Sequence, residues 1–185
     1  MARSTIDNVA KRTSSASQRR QILAFALATP ADVAELVALH NAVSEHLTSA
    51  FGKGHWSGTH TQRGVLLGMK HARVLIARHR RRIVGTLRLV TKKPWAIDTA
   101  YFTAVPRAVY LLGMAVKPSM QRCGIGRRML DEVAKLAREW PSQAIRLDAY
   151  DSEAGAGEFY AKCGYREVGR INYRGTPLVY FEMLV

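Results

Sequence analysis

At 185 residues the chain is long enough for one domain with a substantial core and a ligand cleft. Its 48% hydrophobic and 23% charged residues are those of a globular protein, and no apolar run approaches the roughly 18 residues that a membrane-spanning helix needs. Lys and Arg outnumber Asp and Glu 28 to 14, and the net charge of +14 favours polyanions or phosphate-rich ligands over cationic ones.

Residues 1–21 are polar and basic, with Arg3, Lys11, Arg12, Arg19 and Arg20 against the single acid Asp7, and read as a flexible basic tail. Ile22 to Ala28 is apolar and ends in Ala-x-Ala, a loose imitation of a signal-peptide core. It is at the lower length limit for that role and reads better as a first strand. Thr29-Pro30-Ala31-Asp32 is a helix start, and Val33, Leu36, Val37, His40 and Val43 carry the helix to about Leu47. Residues 51–60 form a Gly-rich loop, and a second helix covers Thr61 to Lys70. Arg73 to Arg78 and Ile83 to Thr91 are β-rich, and the basic turn at His79 to Arg82 makes them a hairpin.

Residues 92–106 carry two prolines and read as a loop, followed by an apolar strand, Val109 to Val116, that stops at Pro118. Ile125, Met129, Val133, Leu136, Ala137 and Trp140 then mark one face of an amphipathic helix that Pro141 ends. Ala144 to Tyr150 is a strand, Ala156 to Lys162 a short helix closed by Gly164, and Tyr165 to Tyr173 with Leu178 to Val185 a final hairpin across Arg174-Gly175-Thr176-Pro177. The order β-αα-βββ-α-β-α-ββ predicts a three-layer α/β/α sandwich on one mixed sheet, with residues 22–185 as one domain.

Two cysteines, Cys123 and Cys163, are too few for a disulfide framework, and no His or Cys pair has metal-ligand spacing. The expectation is reduced thiols, a cytoplasmic protein, no metal and no membrane. No helix-turn-helix, RNA-recognition or zinc signature accompanies the positive charge, so a nucleic-acid partner is not favoured.

The segment Gln121-Arg122-Cys123-Gly124-Ile125-Gly126-Arg127-Arg128 lies between a buried strand and the amphipathic helix. Glycine lets backbone turn tightly and approach a ligand, and the N–H groups that open a helix have no internal partners. Such a turn attracts an anion, by about 0.3–1 kcal/mol per charge from the dipole alone, and three arginines flank it. A P-loop is excluded because Gly126 precedes Arg127-Arg128 rather than Lys-Ser/Thr, and the dinucleotide fingerprint because Met129 stands where its third Gly belongs.

Gln121-x-x-Gly124-x-Gly126, preceded by Met114-Ala115-Val116-x-Pro118, resembles motif A of the GNAT superfamily of acyl-CoA N-acyltransferases. Phe159-Tyr160-Ala161-Lys162-Cys163-Gly164-Tyr165 is similar to that family's Phe/Leu-Tyr-x-x-x-Gly-Phe segment, and the element order is also the family's. The resemblance covers about residues 22–185. It implies acetyl-CoA as co-substrate in a cleft between two splayed parallel strands, 109–116 and 144–150. Met114, Ala115 and Val116 would contact the pantetheine; Gln121, Arg122, Cys123, Gly124, Ile125, Gly126 and Arg127 would hold the pyrophosphate. Tyr160 matches the tyrosine that protonates the leaving thiolate, and a backbone N–H near Met114 would stabilise the oxyanion.

The resemblance also implies acetyl transfer to an amine of a small molecule or peptide by direct attack. Acylation of an aminoacyl-tRNA and a non-catalytic acyl-CoA-binding module are the alternatives. The stretch Tyr110-Leu111-Leu112-Gly113 lacks the glutamate some members use as base, which leaves Glu45, Asp98 and Asp148 as candidates. Glu153 stands where many members have a cofactor-binding Asn. The acceptor side would draw on His46, His55, Trp56, Trp95, Asp98, Tyr101, Phe102 and Arg174. The C-terminal hairpin offers a surface for exchange or pairing in a homodimer.

Overall fold

The strands are β1 (Leu23–Leu27), β2 (Arg73–His79), β3 (Arg82–Val90), β4 (Ala108–Val116), β5 (Ala144–Tyr150), β6 (Arg166–Tyr173) and β7 (Thr176–Leu184). The helices are α1 (Val33–Phe51), α2 (Gln62–Lys70), α3 (Ile125–Glu139) and α4 (Gly157–Lys162). This computed structural model describes residues 22–185, so the expected basic tail at 1–21 lies outside the described residues. One sheet of seven strands runs in the order β1-β2-β3-β4-β5-β7-β6. Every neighbouring pair is antiparallel except β4 with β5.

Period-two alternation along the strands sorts the sheet's two faces. Leu75 and Ala77 of β2, Leu87 and Leu89 of β3, and Ile145, Leu147 and Ala149 of β5 pack with Ile125, Met129 and Val133 of α3 and with Tyr160 of α4. Val74, Ile76 and Ile83 point the other way, onto Leu36 and Leu39 of α1. A third cluster of Ile97, Phe102, Tyr110 and Tyr180 covers the rest of that second face. The result is the expected α/β/α sandwich.

Most element boundaries agree with the sequence within two residues, and three details differ. Pro30–Asp32 forms a separate 3-10 turn before α1, because the Asp32 carboxylate accepts the Thr29 N–H at 2.8 Å and also pairs with Arg78. Helix α1 runs to Phe51, four residues beyond the expected Leu47. The last hairpin turns on Arg174 and Gly175 alone, with φ of 52° and 83°, so Thr176 and Pro177 already belong to β7.

The feature that matters for function is an opening inside the sheet. Strands β4 and β5 pair only over Ala108–Tyr110 and Ala144–Arg146. Beyond that, β4 stays with β3 as far as Val116 and β5 stays with β7 as far as Tyr150, so the two strands part. The cause is a β-bulge. Thr86 faces Ala115 and Arg88 faces Leu112, so Leu87 alone spans Gly113 and Met114. Gly113 takes φ of 56°, a left-handed conformation that a side chain would make costly.

The closed end is clamped. Glu182 is 2% exposed and accepts from Arg146 at 3.2 Å, from Arg166 at 3.2 Å and from the Thr103 hydroxyl at 2.6 Å. This buried pair sits beside the last β4–β5 pairing and ties the loop before β4 to β5 and β7.

Candidate active site

The anion-receptive turn lies at the mouth of this opening. Arg122 and Gly124 both have left-handed backbone, with φ of 59° and 78°. Such backbone presents successive N–H groups to one concave side. The first hydrogen bond of α3 runs from Arg128 N–H to the Gly124 carbonyl at 3.2 Å, so the amides of residues 122–127 all precede it. The Gln121 side-chain amide donates to the Val116 carbonyl at 3.2 Å, which anchors the turn to the end of β4. Arg127 donates instead to the Lys162 carbonyl at 2.5 Å and caps α4, so its side chain is engaged while its N–H remains in the turn.

The glycines of the turn have different duties. A Cβ on Gly126 would come within 2.9 Å of the Phe159 ring and 3.3 Å of Met114 Cε, so this glycine lets α3 approach β4 and α4. A Cβ on Gly124 would meet nothing within 4 Å, so only its backbone matters. Gly124→Ala is expected to cost about 1–2 kcal/mol in urea unfolding, the penalty of a left-handed alanine. An unchanged midpoint and slope would mean that the turn rearranges freely.

Tyr160 stands beneath the opening. It is 6% exposed and packs edge-on against Phe159 and Tyr165 at centroid distances of 5.3 and 5.8 Å. Its hydroxyl reaches the Met114 sulfur at 3.8 Å, across the gap from α4 to β4. Burial drives its pKa well above the ordinary tyrosine value, helped by the charges of Asp148 and Cys163. The phenol therefore keeps its proton throughout the neutral range.

The structure separates the three acids considered as base. Asp98 is occupied in capping, accepting Ala100 N–H at 3.0 Å. Glu45 is exposed on α1, lining a groove with Ser57 and Thr59. Asp148 lies on β5, two residues past the last pairing with β4 at Arg146. Its neighbours Leu147 and Ala149 face α3, so its carboxyl projects to the other side of the sheet. Burial raises its pKa, and its charge is felt by the phenols of Tyr160, Tyr150 and Tyr180.

The acceptor-side residues divide into two groups. His55 stacks on Tyr150 at 5.9 Å and bonds the Thr176 hydroxyl at 2.7 Å, while Trp56 meets Tyr150 edge-on at 5.7 Å. The Gly-rich loop thus bridges from α1 to the ends of β5 and β7, roofing the open half of the sheet. Tyr101 and Phe102 instead pack on Tyr180, at 5.5 and 5.3 Å, and buttress the closed half. Trp95 is 88% exposed, His46 is exposed on α1, and Arg174 lies over Tyr173 at the hairpin tip. A concavity of about 880 Å³ lies against residues 102–108 and Trp140 and contains none of the turn. Among the described residues no cluster of three or more His, Cys, Asp or Glu is placed to hold a metal ion, and no helix is long and apolar enough to cross a membrane.

A mixed sheet opened at its parallel junction, with a helix-opening turn at the mouth and a buried tyrosine below, is the arrangement that the resemblance to acyl-CoA N-acyltransferases implies. The sequence model of the acetyltransferase (GNAT) family matches residues 38–165. The chain belongs to that family and is an acetyltransferase. Solved structures of the same fold include a ribosomal-protein-alanine N-acetyltransferase from Brucella melitensis, 18% identical, with a TM-score of 0.68 over 88% of this chain and 99% of that one. Another is the PaiA N-acetyltransferase from Thermoplasma acidophilum in complex with coenzyme A, 15% identical, TM-score 0.67, over 89% and 99% of the two chains. A third is the Salmonella typhimurium yncA protein with acetyl-CoA, 17% identical, TM-score 0.64, over 88% and 93%. No curated protein sequence matches.

Proposed function

We propose that the protein transfers an acetyl group from acetyl-CoA to a primary amine of a small-molecule or peptide acceptor, both substrates being bound together. The observation that carries this reading is the parting of β4 from β5 beyond Tyr110 and Arg146. It leaves the inner edge of β4 at Met114, Ala115 and Val116 free to bond an extended pantetheine as an added strand. The amides of residues 122–127 lie where that chain's pyrophosphate would follow, with Arg122 beside them. The acetyl thioester would then reach the bulge at Gly113 and Met114. Two relatives of the fold hold coenzyme A or acetyl-CoA, which fits this assignment.

The acceptor amine enters from the face roofed by His55 and Trp56. Its nitrogen bonds to the thioester carbonyl carbon, the carbon–sulfur bond breaks, and the sulfur leaves as thiolate toward the Tyr160 hydroxyl. The ammonium proton passes to Asp148, directly or through water. An alkyl ammonium has a pKa of about 10.4, so removal of this proton is a real demand at neutral pH.

Calorimetry tests the cofactor assignment. Acetyl-CoA is expected to bind at least about 10²-fold more tightly than acetyl-pantetheine, which lacks the pyrophosphate, because two charge-assisted hydrogen bonds are together worth about 3 kcal/mol or more. The difference should shrink as salt rises. Equal affinities would remove the turn from the binding site, and absence of heat with any acyl-CoA would defeat the reading.

A further inference from the structure

Arg88 lies on β3 among apolar residues, between Leu87 and Leu89, yet its side chain projects to the opposite face from theirs. There it passes beneath α2 and ends beside the bulge of β4. A Cβ on Gly68 of α2 would lie 3.2 Å from its Nη1, and one on Gly113 would lie 3.5 Å from its Nη2. A glycine inside a helix costs roughly 1 kcal/mol relative to alanine. At position 68 it leaves the room that the guanidinium fills.

The guanidinium is half-buried, and among the described residues no carboxylate, carbonyl or hydroxyl bonds it. A titratable group that senses its charge is a histidine rather than a carboxylate. His40 of α1 stacks on His60 at 4.6 Å, and burial, then His60, then Arg88 lower the His40 pKa to about 4. Burial also lowers the pKa of Arg88 itself. Other interior or semi-interior arginines here are paired: Arg146 with Glu182, Arg78 with Asp32. A half-buried cation without an anion is costly, and folded chains retain one where a ligand supplies the counter-charge. Its position is specific. The guanidinium borders Gly113, which is exposed at the bulge next to Met114, on the face from which the acceptor enters.

We propose that Arg88 is the acceptor-binding residue for a carboxylate, and that the acceptor is a small aminocarboxylate whose anionic group lies close to its reacting amine. This rests on the acetyl-transfer reading above and adds the substrate class to it. The planar fork of Arg88 would hold both carboxylate oxygens and set the amine toward the thioester. The nearness of Arg88 to the bulge disfavours acceptors whose amine and carboxylate are far apart. It likewise disfavours a protein N-terminus, whose nearest backbone carbonyl is uncharged.

The test titrates the CoA-loaded protein with the common amino acids and, in parallel, with the corresponding amino acid amides. Binding is followed by calorimetry and by the Nε–Hε NMR signal of Arg88; turnover with acetyl-CoA is followed as free thiol. Some amino acid is expected to bind and shift the Arg88 signal, and its amide to be about 10- to 100-fold weaker, the weight of one charge-assisted pair. Arg88→Lys should raise the acceptor KM by a similar factor with little change in the acetyl-CoA KM, and Arg88→Gln should erase the preference for acid over amide. Arg88→Gln should also melt no lower than the parent, since it removes an unpaired charge; a residue kept for packing would melt lower. Three results overturn the proposal: amides equal to acids, no amino acid bound by a protein that does bind CoA, or peptides ending in a free α-amine preferred over free amino acids. Failure to bind CoA at all would instead strike the underlying acetyl-transfer reading, and the amino acid titration of the apo protein would then decide on Arg88 by itself.

Discussion

Tyr160→Phe is expected to lower kcat by about 10²- to 10⁴-fold while leaving the protein folded. The rate effect follows from where the hydroxyl lies. It is the polar atom that α4 brings to the gap between β4 and β5, at 3.8 Å from the Met114 sulfur. Burial holds its pKa above the usual tyrosine value, so it is a dependable donor and a weak acid. A free thiol has a pKa of about 8.5, well below that of the phenol. In the proposed reaction Tyr160 would therefore act mainly by hydrogen-bonding the sulfur as charge develops there, and the thiolate could leave without taking the proton fully. Two measurements separate this from a packing role. The variant should melt close to the parent, because the hydroxyl's partner is a thioether and its loss strands no strong donor or acceptor. Its deficit should also shrink with acyl donors whose leaving thiol is more acidic, since these need less stabilisation. A loss of less than about threefold would take Tyr160 out of the chemistry.

The fold was legible wherever hydrophobic periodicity and chain punctuation agree. The stripe from Ile125 to Trp140, the stop at Pro141 and the glycine closing α4 at Gly164 each announce an element, and each is found within two residues of its expected place. The tight turn into α3 was legible because glycine, arginine and a helix start coincide at residues 121–128. What was not legible is the opening of the sheet. It depends on pairing register, and register is a property of two strands rather than of either sequence. Gly113 inside an apolar strand was a signal for a bulge, and its partner at Leu87 lies 26 residues earlier in the chain. Arg88 was hidden for the same reason. Read along β3 it is an arginine at an outward position, and only the placement of α2 and the bulge shows that this position is half-covered and lacks an anion. Asp148 could be named from the sequence but not ranked above Glu45 and Asp98, because its distinction is burial just past the last β4–β5 pair.

That burial makes Asp148→Asn the sharper test of proton removal. The variant is expected to lose about 10²- to 10⁴-fold in kcat/KM near neutral pH, the usual weight of a general base. In the parent, activity should rise with pH as the carboxyl ionises, along a limb displaced above the ordinary carboxylate range because burial raises this pKa. The asparagine variant should lack that limb. Stability should move the other way. With its folded-state pKa raised, Asp148 binds its proton more tightly in the folded chain than in the unfolded one. Its favourable contribution is full below the unfolded-state pKa and is lost as pH rises through the folded-state value. At neutral pH the parent therefore carries a buried carboxylate at a cost, and the amide relieves it. Melting of the variant should exceed that of the parent at pH 8, and the difference should vanish toward pH 4. A site that must take a proton from an ammonium needs a base stronger than an exposed carboxylate, and the burial that raises its pKa is also what burdens the fold. If Asp148→Asn melts lower at every pH and retains its activity, the carboxyl is a structural group and the proton leaves by another route.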